Sequence, residues 1–563
     1  MDDKIGKSLR ARLQSARAHE TFDVNIYLAG EPSEVVHSFV DPDHTGATPE
    51  TAVPPDRDAV VQRLKQYAAE KQRGVLEYLI GLSDSPNFVD PENKVAVPKV
   101  NNVRSFWINN SVNAEVTLDV LTELLARPDV IQIELASRAG IEELIDVRRR
   151  TPGTRTLAKE ETKIAGPSLS HGSHNVKVFE AALAFDVLDF VKSSRKFTPF
   201  ADRVLLDTAQ ATWSVKRVGA PLLWQLGING DGVIVAVIDS GVNYNHPDLM
   251  NRMWDGGQDY PFHGFDFATP DPNPQDQGGY GHGTSCAGIV AGDGTSGIRT
   301  GVAPGSRIMA LRVGEKDSTF TDAFQFAVAH HVQVISMSLS SKASNNPDYG
   351  GWRRFCETAN ALGILHANSA GDLGLYSTSG EYKIPFNIGA PANCPPPQLH
   401  SLQPTSVGNG PHISSVITCG ATDEADKLRG NSGRGPCAWE SEPYKDFPYE
   451  NGTKPGLIKP DICAPGSTTR SCNWAFSGST GNPYSDFADT SSATPHVAGC
   501  MALLAQACLR TNNPIIPARV QEALENTAVM IPGQVQRKEN DFGAGRIDVF
   551  EAFKYGRDKG WWG

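Results

Sequence analysis

Residues 233–239 read VIVAVID, and Ser240 and Gly241 follow. The run is apolar without alternation, largely β-branched, and stops on a carboxylate. A strand covered on both faces has this pattern, because neither face meets water. Moving outward, RIMALRV (307–313), VQVISMSL (332–339) and GILHANSAG (363–371) repeat it. Helical segments fall between these runs, over 321–330 and 352–361. The alternation predicts an α/β fold for residues 208–563, a mostly parallel sheet with helices on both faces. In such sheets functional groups gather at the carboxyl ends of strands, and Asp239 stands at one.

Two further windows supply groups that a terminal aspartate can work with. GHGTSCAGIVAG (281–292) sets His282 between glycines, and DTSSATPHVAG (489–499) sets Ser491 at a loop-to-helix junction. A hydroxyl is a poor nucleophile at neutral pH. It needs a neighbouring base for its proton, and the base needs a buried carboxylate to hold its tautomer and stabilise the imidazolium. Glycines beside His282 allow close approach. A serine opening a helix gains from the N-terminal dipole, and its own amide can face a developing oxyanion. Each residue alone has an ordinary alternative as a strand-end turn, a loop histidine or a helix N-cap. Order, spacing and flanking residues together favour a relay of Asp239, His282 and Ser491.

These windows resemble the Asp, His and Ser signatures of the subtilisin-like serine proteases, in that family's chain order. The resemblance continues through GVAPGSRIMALRV (301–313), SGRGP (432–436), KPDICAPG (459–466) and GAGRIDVFEAF (543–553). It implies a serine endopeptidase working through an acyl-enzyme, with Asp239 orienting, His282 as base and Ser491 as nucleophile. It also implies that extended polypeptide substrates pair with an edge strand at Ser338-Leu339-Ser340 and approach Gly371. Where the family carries an oxyanion asparagine, SAGD (369–372) has Asp372, beside the Ser491 backbone amide. An ionised carboxylate cannot donate a hydrogen bond. Either Asp372 is protonated and donates, or it holds a water, or the enzyme is slow. The alternative is a weakly active or inactive subtilisin fold that binds peptides. Asp489 stands for the family's glycine before the nucleophile, where it either adds an acid to the site or caps the helix. Cys286, one helical turn after His282, implies sensitivity to mercurials. No cofactor is required. Asp248 matches a family calcium ligand, but its companion loop DGTSGIRTG (293–301) is shortened, so no metal is assigned.

The first 137 residues form a separate unit. Strand-like FDVNIYL (22–28), a helical pattern over 57–81, strands at 103–108 and 114–117, a helix over 118–126 and VIQIEL (130–135) follow in order. That order predicts a small α+β, ferredoxin-like sheet with both helices on one face. SFWINNSVNAEVTLDVLTELLARPDVIQIE (105–134) resembles the second half of the inhibitory prodomain of many subtilisins. The resemblance implies folding assistance, intramolecular inhibition and autoprocessing after Leu135; the alternative is a permanently attached domain. Residues 138–207 read as a linker with one helix around Val176–Phe190, and Arg148-Arg149-Arg150 is either a processing site or a solvated face.

The bulk properties narrow the partners. A net charge of −12 leaves no excess of cations for replacing phosphate counterions, which argues against nucleic acid. No run approaches the roughly 20 apolar residues of a membrane span. The start, MDDKIGKSLRARLQ, has no apolar core after it, so the expectation is a cytoplasmic protein, with unconventional export as the other route. Nine cysteines, all from Cys286 onward and without paired CxxC spacing, fit a reducing compartment.

Overall fold

The computed structural model describes residues 4–17, 20–37, 56–83, 88–89, 96–136, 210–276, 281–403, 413–440, 444–476, 478–479 and 481–563. The linker helix and the arginine triplet lie outside them.

The N-terminal unit contains α1 (Lys7–Leu13), β1 (Thr21–Leu28), α2 (Pro32–His37), α3 (Arg57–Ser83), β2 (Val100–Phe106), β3 (Ser111–Thr117), α4 (Leu118–Ala126) and β4 (Val130–Leu135). Its strands form an antiparallel sheet in the order β2-β3-β1-β4. This is the expected β-α-β-β-α-β arrangement. Its own core closes around Val24, Ile26, Val75, Leu79, Val112 and Leu121.

The larger unit is built on β5 (Ile234–Asp239), β6 (Gly264–Asp266), α5 (His282–Ala291), β7 (Arg307–Arg312), α6 (Asp317–Ala329), β8 (Val334–Met337), α7 (Tyr349–Ala361), β9 (Leu365–Ser369), β10 (Val416–Thr422), β11 (Ile462–Pro465) and α8 (Thr490–Arg510). The seven-stranded sheet runs β11-β10-β9-β8-β5-β7-β6 and is parallel throughout. Successive residues of β5 serve opposite faces, as the pleat requires. Val235 and Val237 enter a core with Ile289, Val497 and Met501 of α5 and α8. Ala236 and Ile238 enter a second core with Phe320, Phe324 and Phe355 of α6 and α7. After β5 the chain builds β7 and β6 on one side, then returns to build β8 to β11 on the other. The β5/β8 boundary is thus a topological switch point, where a crevice opens at the strands' carboxyl ends.

The N-terminal unit rests on α6 and α7. Val36, Val60, Leu64 and Ile108 are buried in the second core. Polar contacts ring this apolar patch. Lys316 Nζ reaches Asp23 at 2.9 Å and Glu115 at 3.1 Å. Asn25 Nδ2 donates to Asp348 at 2.9 Å, and the Tyr27 hydroxyl donates to the same carboxylate. The Trp107 amide donates to Gln325 Oε1 at 2.6 Å.

Candidate active site

Asp239 is the last residue of β5 and is 1% exposed. The Ser240 amide donates to its Oδ1 at 2.7 Å. His282 opens α5, and Gly283 brings the helix against the Asp239 loop. A Cβ at Gly283 would lie 2.1 Å from the Gly241 carbonyl oxygen, so only glycine permits this approach. His282 Nδ1 then stands 2.7 Å from Asp239 Oδ1, and Nε2 stands 2.9 Å from Ser491 Oγ. Bonded to a carboxylate, Nδ1 keeps its proton, which leaves the Nε2 lone pair for the Ser491 hydroxyl. Phe487 packs against the imidazole in a T-shaped arrangement, ring centroids 5.3 Å apart. Ser491 lies in the first turn of α8, where amides have no intrahelical partner, so its N–H is free to face an oxyanion. The Ser491 carbonyl accepts from Ser338 Oγ at 3.0 Å, which holds this turn against the end of β8.

Asp372 lies just past β9, one residue from Gly371 at φ 81°. The Thr490 amide and hydroxyl both donate to its Oδ1, at 3.1 and 2.9 Å. Burial pushes this carboxyl up to about 6, helped by the negative charge of Asp489 and opposed by the Thr490 donors. Asp489 holds φ 68° and ψ −163°, a backbone region essentially reserved for glycine. Its side chain does not cap α8, against the capping alternative; it pairs with Arg429 at 3.2 Å.

One sequence expectation changes. Ser338-Leu339-Ser340 is not an edge strand. It continues β8, which lies inside the sheet between β5 and β9. Its ladders end at Ser336 and Met337, which leaves the backbone beyond them outside the sheet. Leu339 is 4% exposed, and its carbonyl accepts from Asn368 Nδ2 at 3.0 Å. Ser340 faces Gly371: a Cβ added at Gly371 would lie 3.7 Å from Ser340 Oγ. Asp248 is fully buried. Its Oδ1 accepts from the Ser296 amide at 2.7 Å and its Oδ2 from the Tyr484 hydroxyl at 2.9 Å. Each carboxylate oxygen thus accepts from a protein donor.

Among the described residues, the one trio with metal-ligand spacing is Asp239, His282 and Cys286. Cys286 Sγ lies 3.6 Å from Asp239 Oδ2 and 3.9 Å from His282 Nδ1. Burial, then the Asp239 charge, pushes this thiol well up. It is therefore neutral, and it packs against the relay as a small apolar group. All nine cysteines are free and buried. Sequence reading missed two residues near the site, Arg429 and Asp276. Neither stands in a signature window, and each meets the site only through folding.

Residues 230–545, more than half of the chain, match the Subtilase family. The chain belongs to the subtilase family. Curated relatives agree. This subtilase is 25% identical over 520 residues to bacillopeptidase F of Bacillus subtilis (strain 168), covering 88% of this chain and 28% of that protein. It is 28% identical over 347 residues to thermitase of Thermoactinomyces vulgaris, covering 60% of this chain and 95% of that one. It is also 28% identical over 342 residues to a subtilisin of Bacillus pumilus, with 60% and 96% covered. The subtilase thus spans little more than a quarter of bacillopeptidase F and nearly all of the other two. Its family is one of serine peptidases, which are hydrolases. No helix among the described residues is long and apolar enough to cross a membrane.

Proposed function

We propose that this subtilase is a serine endopeptidase that cleaves extended polypeptides through an acyl-enzyme at Ser491. The observation that carries this is the continuous relay, 2.7 Å from Asp239 to His282 and 2.9 Å from His282 to Ser491. His282 takes the hydroxyl proton as Ser491 attacks the carbonyl, and Asp239 stabilises the imidazolium that forms. His282 then returns the proton to the leaving amine. Substrate backbone lies along Ser338–Ser340 and Gly371. A fluorophosphonate probe tests the reading. Labelling should occur in the parent and vanish in Ser491→Ala; no labelling between pH 5 and 8 would leave a peptide-binding fold.

On the oxyanion side, the Ser491 amide is one donor and protonated Asp372 the other. Oδ1 already takes both Thr490 donors, so the proton belongs on the second oxygen. A carboxyl at about 6 donates below that pH and repels the oxyanion above it. No cofactor takes part, and Asp248 holds its loop by hydrogen bonds without calcium. Chelation should leave the melting temperature unchanged; a fall of several degrees would return Asp248 to the role of calcium ligand.

The N-terminal unit acts as an intramolecular inhibitor, with the segment after Leu135 as first substrate. Its docking on α6 and α7 supports this. Mass spectrometry of the purified chain decides: a mature N-terminus beyond residue 135 is expected, and a fully active intact chain would make the unit a permanent regulatory domain.

A further inference from the structure

Asp276 is 4% exposed and lies in the loop six residues before His282. The Ser240 hydroxyl donates to its Oδ1 at 3.1 Å. The Thr284 amide and hydroxyl donate to its Oδ2 at 3.1 and 2.5 Å. Ser240 follows Asp239 directly, and Thr284 lies in the first turn of α5 with His282. Ser240 Oγ also accepts from the Gly283 amide at 3.0 Å, and Thr284 Oγ accepts from the Asn243 amide at 2.9 Å. The carboxylate therefore fastens the loop bearing the orienting acid to the helix bearing the base. The three segments also pack closely as one body. A Cβ at Gly241, where φ is 103°, would come within 2.6 Å of the Pro274 carbonyl oxygen and 3.0 Å of Asp276 Cα.

A neutral side chain could have made these tethers. The charge is the unusual part. Asp276 feels the charge of Asp239 at the end of β5 and acts on Cys286 of α5, and it bonds Thr284, two residues from His282. Among the described residues no lysine or arginine forms an ion pair with it. A buried anion without a cation is costly, and it is retained here next to the site where imidazolium appears.

We propose that Asp276 is a positioning residue of the proton relay: it holds the Asp239 loop and the His282 helix in register through Ser240 and Thr284, and its negative charge, behind Asp239, favours the imidazolium form of His282. The inference rests on the endopeptidase reading of the relay. Burial, reinforced by Asp239 and opposed by the Thr284 and Ser240 donors, pushes Asp276 up to about 6.

The test uses the full chain and Asp276→Asn, which keeps shape and the acceptor for Thr284 while removing charge. Histidine-selective carbon labelling lets the His282 imidazole be titrated by NMR without reference to turnover. The expected result is a His282 midpoint lower by about half a unit to one unit, as loss of a nearby anion requires. The same shift should appear in the acid limb of kcat/KM, read in an Asp372→Asn background that removes the opposing limb. Asp276→Glu, which keeps the charge, should restore the midpoint. An unmoved His282 midpoint in Asp276→Asn would overturn the proposal, as would lost activity that follows only a lower melting temperature. If the variant does not fold, Ser240→Ala keeps the charge and cuts one tether. It should lower kcat with the midpoint unchanged, and full activity would overturn the tethering role. Should fluorophosphonate labelling fail throughout, the endopeptidase reading falls, while the NMR titration still judges Asp276.

Discussion

At the residue scale, Asp372 and Asp489 flank Thr490 and share one electrostatic environment. Asp489 raises the proton affinity of Asp372, and Arg429 offsets Asp489. The signs follow. On the proposed reading, activity should decline as pH rises through about 6, because Asp372 then loses the proton it would donate to the oxyanion. Asp372→Asn should abolish that decline and raise kcat/KM at pH 8 by about a hundredfold, the scale of one oxyanion donor. Unchanged rate and pH dependence would place Asp372 outside the oxyanion site. Asp489→Gly should move the decline to lower pH, since an anion is lost, and Arg429→Gln should move it higher. Asp489→Gly should also stabilise the fold by about 1–2 kcal/mol in denaturant titration, because glycine holds this backbone without strain. The relay residues were legible from their signature windows. Asp276 was not, since an acid in a polar loop reads as a turn residue until folding buries it.

At the scale of elements, the setting of His282, the proposed base, depends on how tightly α5 closes on the loop after β5. Gly283→Ala should push α5 from Gly241 and lengthen the bond between Asp239 and His282. A loss of about two orders of magnitude in kcat, with KM little changed, is the expected kinetic result. The same packing explains what could be read in advance. The helix at 118–126 and the strand at 130–135 fall where their patterns placed them. The strand expected at 103–108 instead occupies Val100–Phe106. Buried Val100 is followed by polar, exposed Asn101 and Asn102, and Ile108 is apolar because it enters the neighbouring unit's core. Helix α6 starts at Asp317, before the expected 321, because its polar first turn is buried under the N-terminal sheet. Strands β6, β10 and β11 went unplaced; GFD and ICAP are only three and four residues long, and VITCGAT carries a glycine within it.

At the scale of the whole molecule, two units share one apolar core and a polar ring. Lys316→Glu would set a third negative charge against Asp23 and Glu115. It should weaken docking and raise full-chain turnover of a small chromogenic peptide several-fold, the scale of one surface ion pair reversed. Unchanged turnover would separate docking from inhibition. The shared core has a further consequence for the life of the molecule. Val36, Val60, Leu64 and Ile108 cover part of the face formed by α6 and α7. Cutting the chain does not remove the reason for that contact. After cleavage the fragments should co-elute, parted only when the smaller one is itself digested. A catalytic unit produced from residue 208 onward should bare a sticky patch and self-associate in light scattering. If the N-terminal unit is an inhibitor as proposed, latency and solubility would end together, and release would carry its own risk of aggregation.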